Sequence, residues 1–160
     1  MSEALETNDL FISYAHIDNL PISEDEKGWI TEFHRILENR LAQLLGEQPR
    51  VWRDQKLTGG DIFDQKIISQ FDQTKLMVSI LSPRYIKSEW CVKEITKFYK
   101  NAEERGGVAF AGKSRILKVV KTPYDPDELH PELRNIFGSV LGFNFYDFDD
   151  NGKVVEYNEA

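Results

Sequence analysis

The sequence predicts an α/β fold, a doubly wound five-stranded parallel sheet with helices on both faces. Three observations predict it. Short apolar runs alternate with stretches of helical periodicity along most of the 160 residues. One run, Lys75 to Leu81 (KLMVSIL), is almost continuously apolar, as a central strand buried on both faces must be. The length suits one domain with one sizeable core.

The elements follow in order. Residues 1–8 read as a disordered lead-in, and the domain proper as 9–160. Asp9 to Ala15 (DLFISYA) is a buried strand. Ile17 to Glu26 is polar, carries Pro21, and reads as a loop. From Lys27 to Leu45, Trp29, Phe33, Ile36, Leu37, Leu41 and Leu44 recur at helical spacing, and Gly46 stops the helix. Arg50 to Arg53 is a short second strand, and residues 54–60 (DQKLTGG) a loop. Asp61 can cap a helix that turns Ile62, Ile67 and Phe71 inward. After the third strand, Ser82-Pro83 breaks the run, with proline suited to a first helical position. Ser88 can cap the main helix, which reaches about Glu104 and carries Trp90, Ile95 and Phe98. Residues 105–113 read as a Gly-rich loop, 115–120 as a fourth strand, 122–135 as a connection with at most one helical turn, and 140–148 as a fifth strand. Right-handed crossovers and this alternation imply the flavodoxin-like strand order 2-1-3-4-5. The tail DDNGKVVEYNEA is too short and polar for the closing helix of such a fold, so a piece of a longer protein, fused to further domains, is expected.

Composition narrows the function classes. A formal net charge of −7 argues against a nucleic-acid partner, which needs a basic face. Hydrophobic residues make up 41% and charged ones 29%, so a packed core is expected rather than disorder. The single cysteine, Cys91, leaves no internal disulfide. His16, His34 and His130 are far apart in sequence and lack metal-ligand spacing, so no metal is expected. The acidic start, MSEALETND, is neither signal nor transit peptide, and no apolar run nears the roughly 20 residues of a membrane span. A reducing, cytoplasmic setting without membrane contact follows.

Three stretches together carry a family resemblance. Phe11-Ile12-Ser13-Tyr14 lies on the first strand. Val51-Trp52-Arg53-Asp54 with Leu57-Thr58-Gly59-Gly60-Asp61 covers the second strand and its loop. Ser82-Pro83-Arg84-Tyr85-Ile86-Lys87-Ser88-Glu89-Trp90-Cys91-Val92-Lys93-Glu94 covers a serine-containing turn and a Trp-Cys-x-x-Glu helix start. In that order and on those elements they resemble the TIR (Toll/interleukin-1 receptor) family, of the bacterial NAD-cleaving type, over residues 9–148. The family's last helix and its Phe-Trp-type third box have no counterpart, with Phe145-Tyr146 a loose stand-in. After the first box stand Ala15-His16, where catalytic relatives vary.

The resemblance implies an NAD glycohydrolase or cyclase in immune or cell-death signalling, active when oligomerised, with antiviral defence as the setting. It maps the family's catalytic glutamate onto Glu94. NAD is then substrate, and no cofactor is called for. The leaving nicotinamide is already cationic, so no acid need protonate it. One carboxylate can stabilise an oxocarbenium-like transition state. Trp90 or Trp52 can stack on a flat ring. Ser13, Tyr14, Asp54 and Ser82 are placed to bind substrate, since ligands of such sheets sit beyond the carboxyl ends of the strands. Arg53, Lys56, Leu57, Gly59 and Gly60 are the expected contacts with other TIR domains.

Plainer roles stand beside these. A helical glutamate is ordinarily a solvated acid, and many TIR domains act only as adaptors, so TIR–TIR binding without catalysis is the alternative. Trp90 and Trp52 can be packing residues, Ser82 a turn cap, Cys91 a small buried hydrophobe. Gly59-Gly60 lacks the Lys-Ser/Thr of a phosphate loop. The three histidines read as ordinary polar residues. Asp147-x-Asp149-x-Asn151-Gly152 matches half a calcium loop, but Asn158 stands where the bidentate glutamate belongs, and Asn151-Gly152 reads better as a hairpin turn. A phosphoreceiver would need acids after the first strand and an aspartate ending the third, where this chain has Tyr14-Ala15-His16 and Ser82. Nucleoside deoxyribosyltransferases share the fold and a glutamate, but the Trp-Cys-x-x-Glu box favours TIR.

Overall fold

The computed structural model describes residues 8–21, 27–53, 71, 74–104, 109–110, 113–138 and 142–156. In chain order the strands are β1 (Asn8–Ser13), β2 (Val51–Arg53), β3 (Thr74–Leu81), β4 (Ala109–Phe110), β5 (Lys113–Ser114), β6 (Ile116–Val120), β7 (Gly142–Asn144), β8 (Tyr146–Phe148) and β9 (Val154–Glu156). The helices are α1 (Trp29–Leu45), α2 (Pro83–Lys87), α3 (Glu89–Glu104) and α4 (Pro131–Phe137). Five strands form the main sheet in the order β2-β1-β3-β6-β7, every neighbouring pair parallel. That is the predicted 2-1-3-4-5 order.

Alternation along the strands builds two apolar layers. Phe11, Met77, Leu81, Ile116 and Val120 face α2, α3 and α4, where Tyr85, Ile95, Phe98, Leu133 and Phe137 meet them. Leu10, Ile12, Val78, Ile80 and Val119 face the other way, against Ile30 of α1 and the half-buried Trp29, Phe33 and Leu37. Phe11 is fully buried, with ring centroids 4.2 Å from Trp52 and 5.4 Å from Phe71. Parallel strands buried on both faces explain the apolar runs read from the sequence.

Local chemistry sets the helix ends. Gly46 takes a left-handed conformation and bonds back to Ala42 at the end of α1. Ser82 Oγ accepts from the Tyr85 N–H at 3.1 Å and caps α2, with Pro83 in its first turn. Ser88 Oγ accepts from the Cys91 N–H at 3.2 Å and opens α3. The helical turn expected at Pro83 forms as a separate short helix before α3.

The structure corrects three readings. The fifth strand is not continuous: Gly142–Asn144 joins the sheet, whereas Tyr146–Phe148 pairs antiparallel with Val154–Glu156. Gly152, at φ 77°, turns this hairpin, with Asp149 Oδ1 accepting from the Asn151 and Lys153 N–H groups. The stretch read as a Gly-rich loop contains the small antiparallel pair β4–β5. The Pro/Asp-rich connection holds both a 3₁₀ turn, Pro126–Glu128, and α4, because Pro126 and Pro131 each start a turn. No helix among the described residues is long and apolar enough to cross a membrane.

Candidate active site

The carboxyl ends of β1 and β3 lie side by side, with Ser13 in register with Ser79. Both serines are fully buried and lie on the strand face occupied by Phe11 and Met77, which looks toward α3. Small side chains here leave room for a larger polar group. That group is Glu94. On α3 the buried positions are Cys91, Glu94, Ile95, Phe98 and Ala102. Glu94 therefore occupies one place in an otherwise apolar stripe, and it is only 3% exposed.

An ionised carboxylate in such a place must be hydrogen-bonded to persist. Ser13 Oγ donates to Glu94 Oε1 at 2.9 Å. The same Ser13 oxygen lies 2.8 Å from the Tyr85 hydroxyl, and Tyr85 is fully buried on α2. A second bond anchors the rim: Ser82 Oγ donates to Asp18 Oδ2. Asp18 sits in the 3₁₀ turn His16–Asn19 that follows β1. Asn19 in turn accepts from the Thr31 N–H at 2.8 Å. Gly28 lies so close to this turn that a Cβ there would stand 1.9 Å from the Asn19 carbonyl oxygen, so only glycine permits the approach.

The electrostatics are those of a dry site. Burial, then the Cys91 thiol, raises the Tyr85 phenol well above its usual range, and Glu94 adds to the effect. Burial first, and the charge of Glu94 second, push the Cys91 thiol up, so it stays protonated.

The structure brings some predicted residues together and separates others. Ser13 and Glu94 are buried on the α3 side of the sheet, Ser82 is buried at the end of β3 where it caps α2, and the half-buried Trp52 and Trp90 pack against the α3-side apolar layer. The Trp52 indole N–H is buried with no hydrogen-bond partner among the described residues. Tyr14 belongs to the opposite layer, facing α1. Arg53 is on that side too: its guanidinium carbon lies 5.8 Å from the Tyr14 ring centroid, and its side chain donates to Thr31 at 3.1 Å and to His34. Two of its nitrogens thus find partners inside the chain, while its buried Nε has none among the described residues. Asp54, Lys56, Leu57, Gly59 and Gly60 lie outside the described residues, as does the helix expected from Asp61.

Sequence reasoning missed Tyr85, Asp18 and His34. Tyr85 follows Ser82-Pro83 by two residues and must turn inward once that turn forms. Asp18 was legible as an acid just past the first strand. His34 is 8% exposed and lies between Arg53 and Glu38, whose Oε1 is 3.6 Å from His34 Nε2. Burial, then Arg53, lowers its pKa against the opposing pull of Glu38.

A groove of about 480 Å³ between α2, α3 and α4 is lined by Ile86, Lys87, Val92, Lys93, Thr96 and His130 among others, and Glu94 takes no part in it. Among the described residues, no three His, Cys, Asp or Glu side chains gather as a metal site would require.

A parallel 2-1-3-4-5 sheet with a buried acid beneath the ends of its first and third strands defines a doubly wound α/β module with a polar centre at the strand termini. The sequence pattern described as "TIR domain" matches residues 10–153, and the chain belongs to that family. A solved TIR domain of the Toll-related receptor TRR-2 from Hydra magnipapillata is similar at 16% identity, with 85% of this chain and 84% of that one covered and a TM-score of 0.50. The TIR domains of the activated Roq1 resistosome recognising the pathogen effector XopQ align at 20% identity, over 71% of this chain and 57% of that one, with a TM-score of 0.45. Among curated proteins none matches the chain.

Proposed function

We propose that this TIR domain is an NAD glycohydrolase, releasing nicotinamide and leaving ADP-ribose or a cyclic ADP-ribose product, with Glu94 as its catalytic carboxylate. The observation that carries the reading is the position of Glu94. It is an acid set into the apolar stripe of α3, directly beneath the ends of β1 and β3, and held by Ser13. A merely solvated glutamate would sit on the outer face of the helix, and this one does not. In the reaction the ribose–nicotinamide bond breaks and its electron pair leaves with the neutral nicotinamide. Glu94 stabilises the oxocarbenium-like ribose. Water, or an adenine nitrogen for a cyclic product, then closes the anomeric carbon, and one proton is released. Trp52 or Trp90 stacks on a ring of the substrate. The active form is an oligomer joined through residues 54–60, in a cytoplasmic signalling protein with further domains, serving immune or antiviral defence.

The test is nicotinamide release by the wild-type chain and by Glu94→Ala at high protein concentration. Loss of release in the variant is expected; equal release from both removes Glu94 from the mechanism. A second reading, an adaptor that binds other TIR domains without catalysis, draws on the near-complete burial of Glu94, which a structural role also produces. Concentrated protein that leaves NAD intact, together with a Leu57→Ala variant that no longer self-associates, would select it.

A further inference from the structure

We propose that Tyr85 is a positioning residue for Glu94, its hydroxyl donating to Ser13 so that the Ser13 proton is committed to the carboxylate. The inference rests on the NAD-cleaving reading of Glu94 and adds to it the group that sets the carboxylate's charge and orientation.

The argument is one of donors and acceptors. A serine hydroxyl has one proton and two lone pairs. Ser13 Oγ donates that proton to Glu94 Oε1 at 2.9 Å. Its contact with Tyr85, at 2.8 Å, is then one that Ser13 can only accept. The chain of bonds runs one way, from Tyr85 to Ser13 to Glu94. Without Tyr85 the serine could rotate and offer its proton elsewhere. With it, each bond polarises the next, and the negative form of Glu94 is favoured over the neutral one. All three side chains are at most 3% exposed, so bulk solvent does not screen these bonds. An ionised carboxylate in one fixed orientation is what stabilising a cationic ribose requires.

The other ionisable groups do not blur this. Tyr85 from α2 and Cys91 from the first turn of α3 both face Glu94, and both stay protonated at neutral pH and below. Asp18, from the turn after β1, and Arg84, from α2, act on Cys91 with opposite signs. Asp18 and Glu94 are separable by substitution.

The experiment uses the 160-residue chain, Tyr85→Phe, Ser13→Ala and the double variant. Tyr85→Phe keeps the ring that fills the core. Nicotinamide release is measured against NAD concentration and pH. In Tyr85→Phe, kcat falls roughly five- to tenfold, the scale of one hydrogen bond, while KM stays unchanged. The acid limb of kcat moves up by about half to one pH unit. Separately, the Glu94 carboxyl carbon is titrated by NMR, its signal identified by its loss in Glu94→Gln. Its midpoint rises by the same amount in Tyr85→Phe and in Ser13→Ala, and the double variant rises no further than Ser13→Ala. A wild-type chain that releases no nicotinamide overturns the NAD reading, and the carboxyl titration still decides the role of Tyr85. An unmoved midpoint in Tyr85→Phe overturns the proposal. So does a shift that persists in full when Ser13 is already alanine, because Tyr85 would then act by another route.

Discussion

Replacing Ser13 with alanine strikes a residue that joins β1 to both α2 and α3 through polar atoms. The substitution removes the Oγ that donates to Glu94 at 2.9 Å and that meets the Tyr85 hydroxyl at 2.8 Å, all within a region at most 3% exposed. A hydrogen bond to a charged group contributes about 1.5–3 kcal/mol, and an orphaned buried hydroxyl costs about 1–3 kcal/mol. The two losses overlap, because Tyr85 can shift slightly, so a destabilisation of about 2–4 kcal/mol is expected. That is a large part of the roughly 5–15 kcal/mol that a domain commonly has. The assay is urea unfolding followed by tryptophan fluorescence, since Trp29, Trp52 and Trp90 all pack against the core layers. With a slope of about 2 kcal/mol per molar urea, the midpoint moves down by roughly 1–2 M. The companion variant Ser13→Ala/Glu94→Leu removes the acid as well and is expected to cost at least about 1 kcal/mol less than the sum of the two single changes. A Ser13→Ala shift below about 0.5 kcal/mol, the range of an ordinary surface change, would refute the claim that Glu94 draws on Ser13.

Two further outcomes follow from the same geometry. Cys91 is 1% exposed, with its thiol held protonated by burial and by Glu94, so a disulfide reagent is expected to label it only at the rate of unfolding; labelling of the native chain at the rate of a free thiol would contradict that placement. His34 has its pKa lowered by burial and by Arg53, so the folded chain holds fewer protons there than the unfolded one below about pH 6.5. Stability is therefore lost as pH falls from about 6.5 through the lowered value, and a His34→Asn variant should show a flatter dependence of the urea midpoint over that window; parallel curves would remove His34 as a source.

The sheet was legible wherever one residue type had one physical use. The run from Lys75 to Leu81 could hardly be anything but a central strand, and Gly46 and Pro83 mark the helix boundaries that their backbone preferences dictate. The β7–β8 break was not legible, because Phe143, Phe145 and Phe148 look alike in sequence while their partners differ: β7 pairs with β6, and β8 turns away to β9. Glu94 was reachable from the Trp-Cys-x-x-Glu box, but its burial comes from a helical register shared with Cys91, Ile95 and Phe98 and opposed by two serines contributed by distant strands. His34 reads in sequence as an ordinary polar residue: helical spacing from Ile30 places it inward, but only the arrival of Arg53 from β2 supplies its partner. Tyr14 and Ser13 are neighbours with opposite destinations, a consequence of the two-residue repeat of a strand that a motif read as a block conceals.

The order of strands has a cost during synthesis. β1 is made first, yet it ends up between β2 and β3, and its pairing with β3 joins Ser13 to Ser79. At ribosomal speeds of about 5–20 residues per second, the wait for residue 81 is on the order of 3–14 s. Through that interval Leu10, Phe11 and Ile12 have no second flank to close on. The nascent chain therefore carries Leu10, Phe11 and Ile12 without that flank for seconds, the kind of exposed apolar segment that invites aggregation.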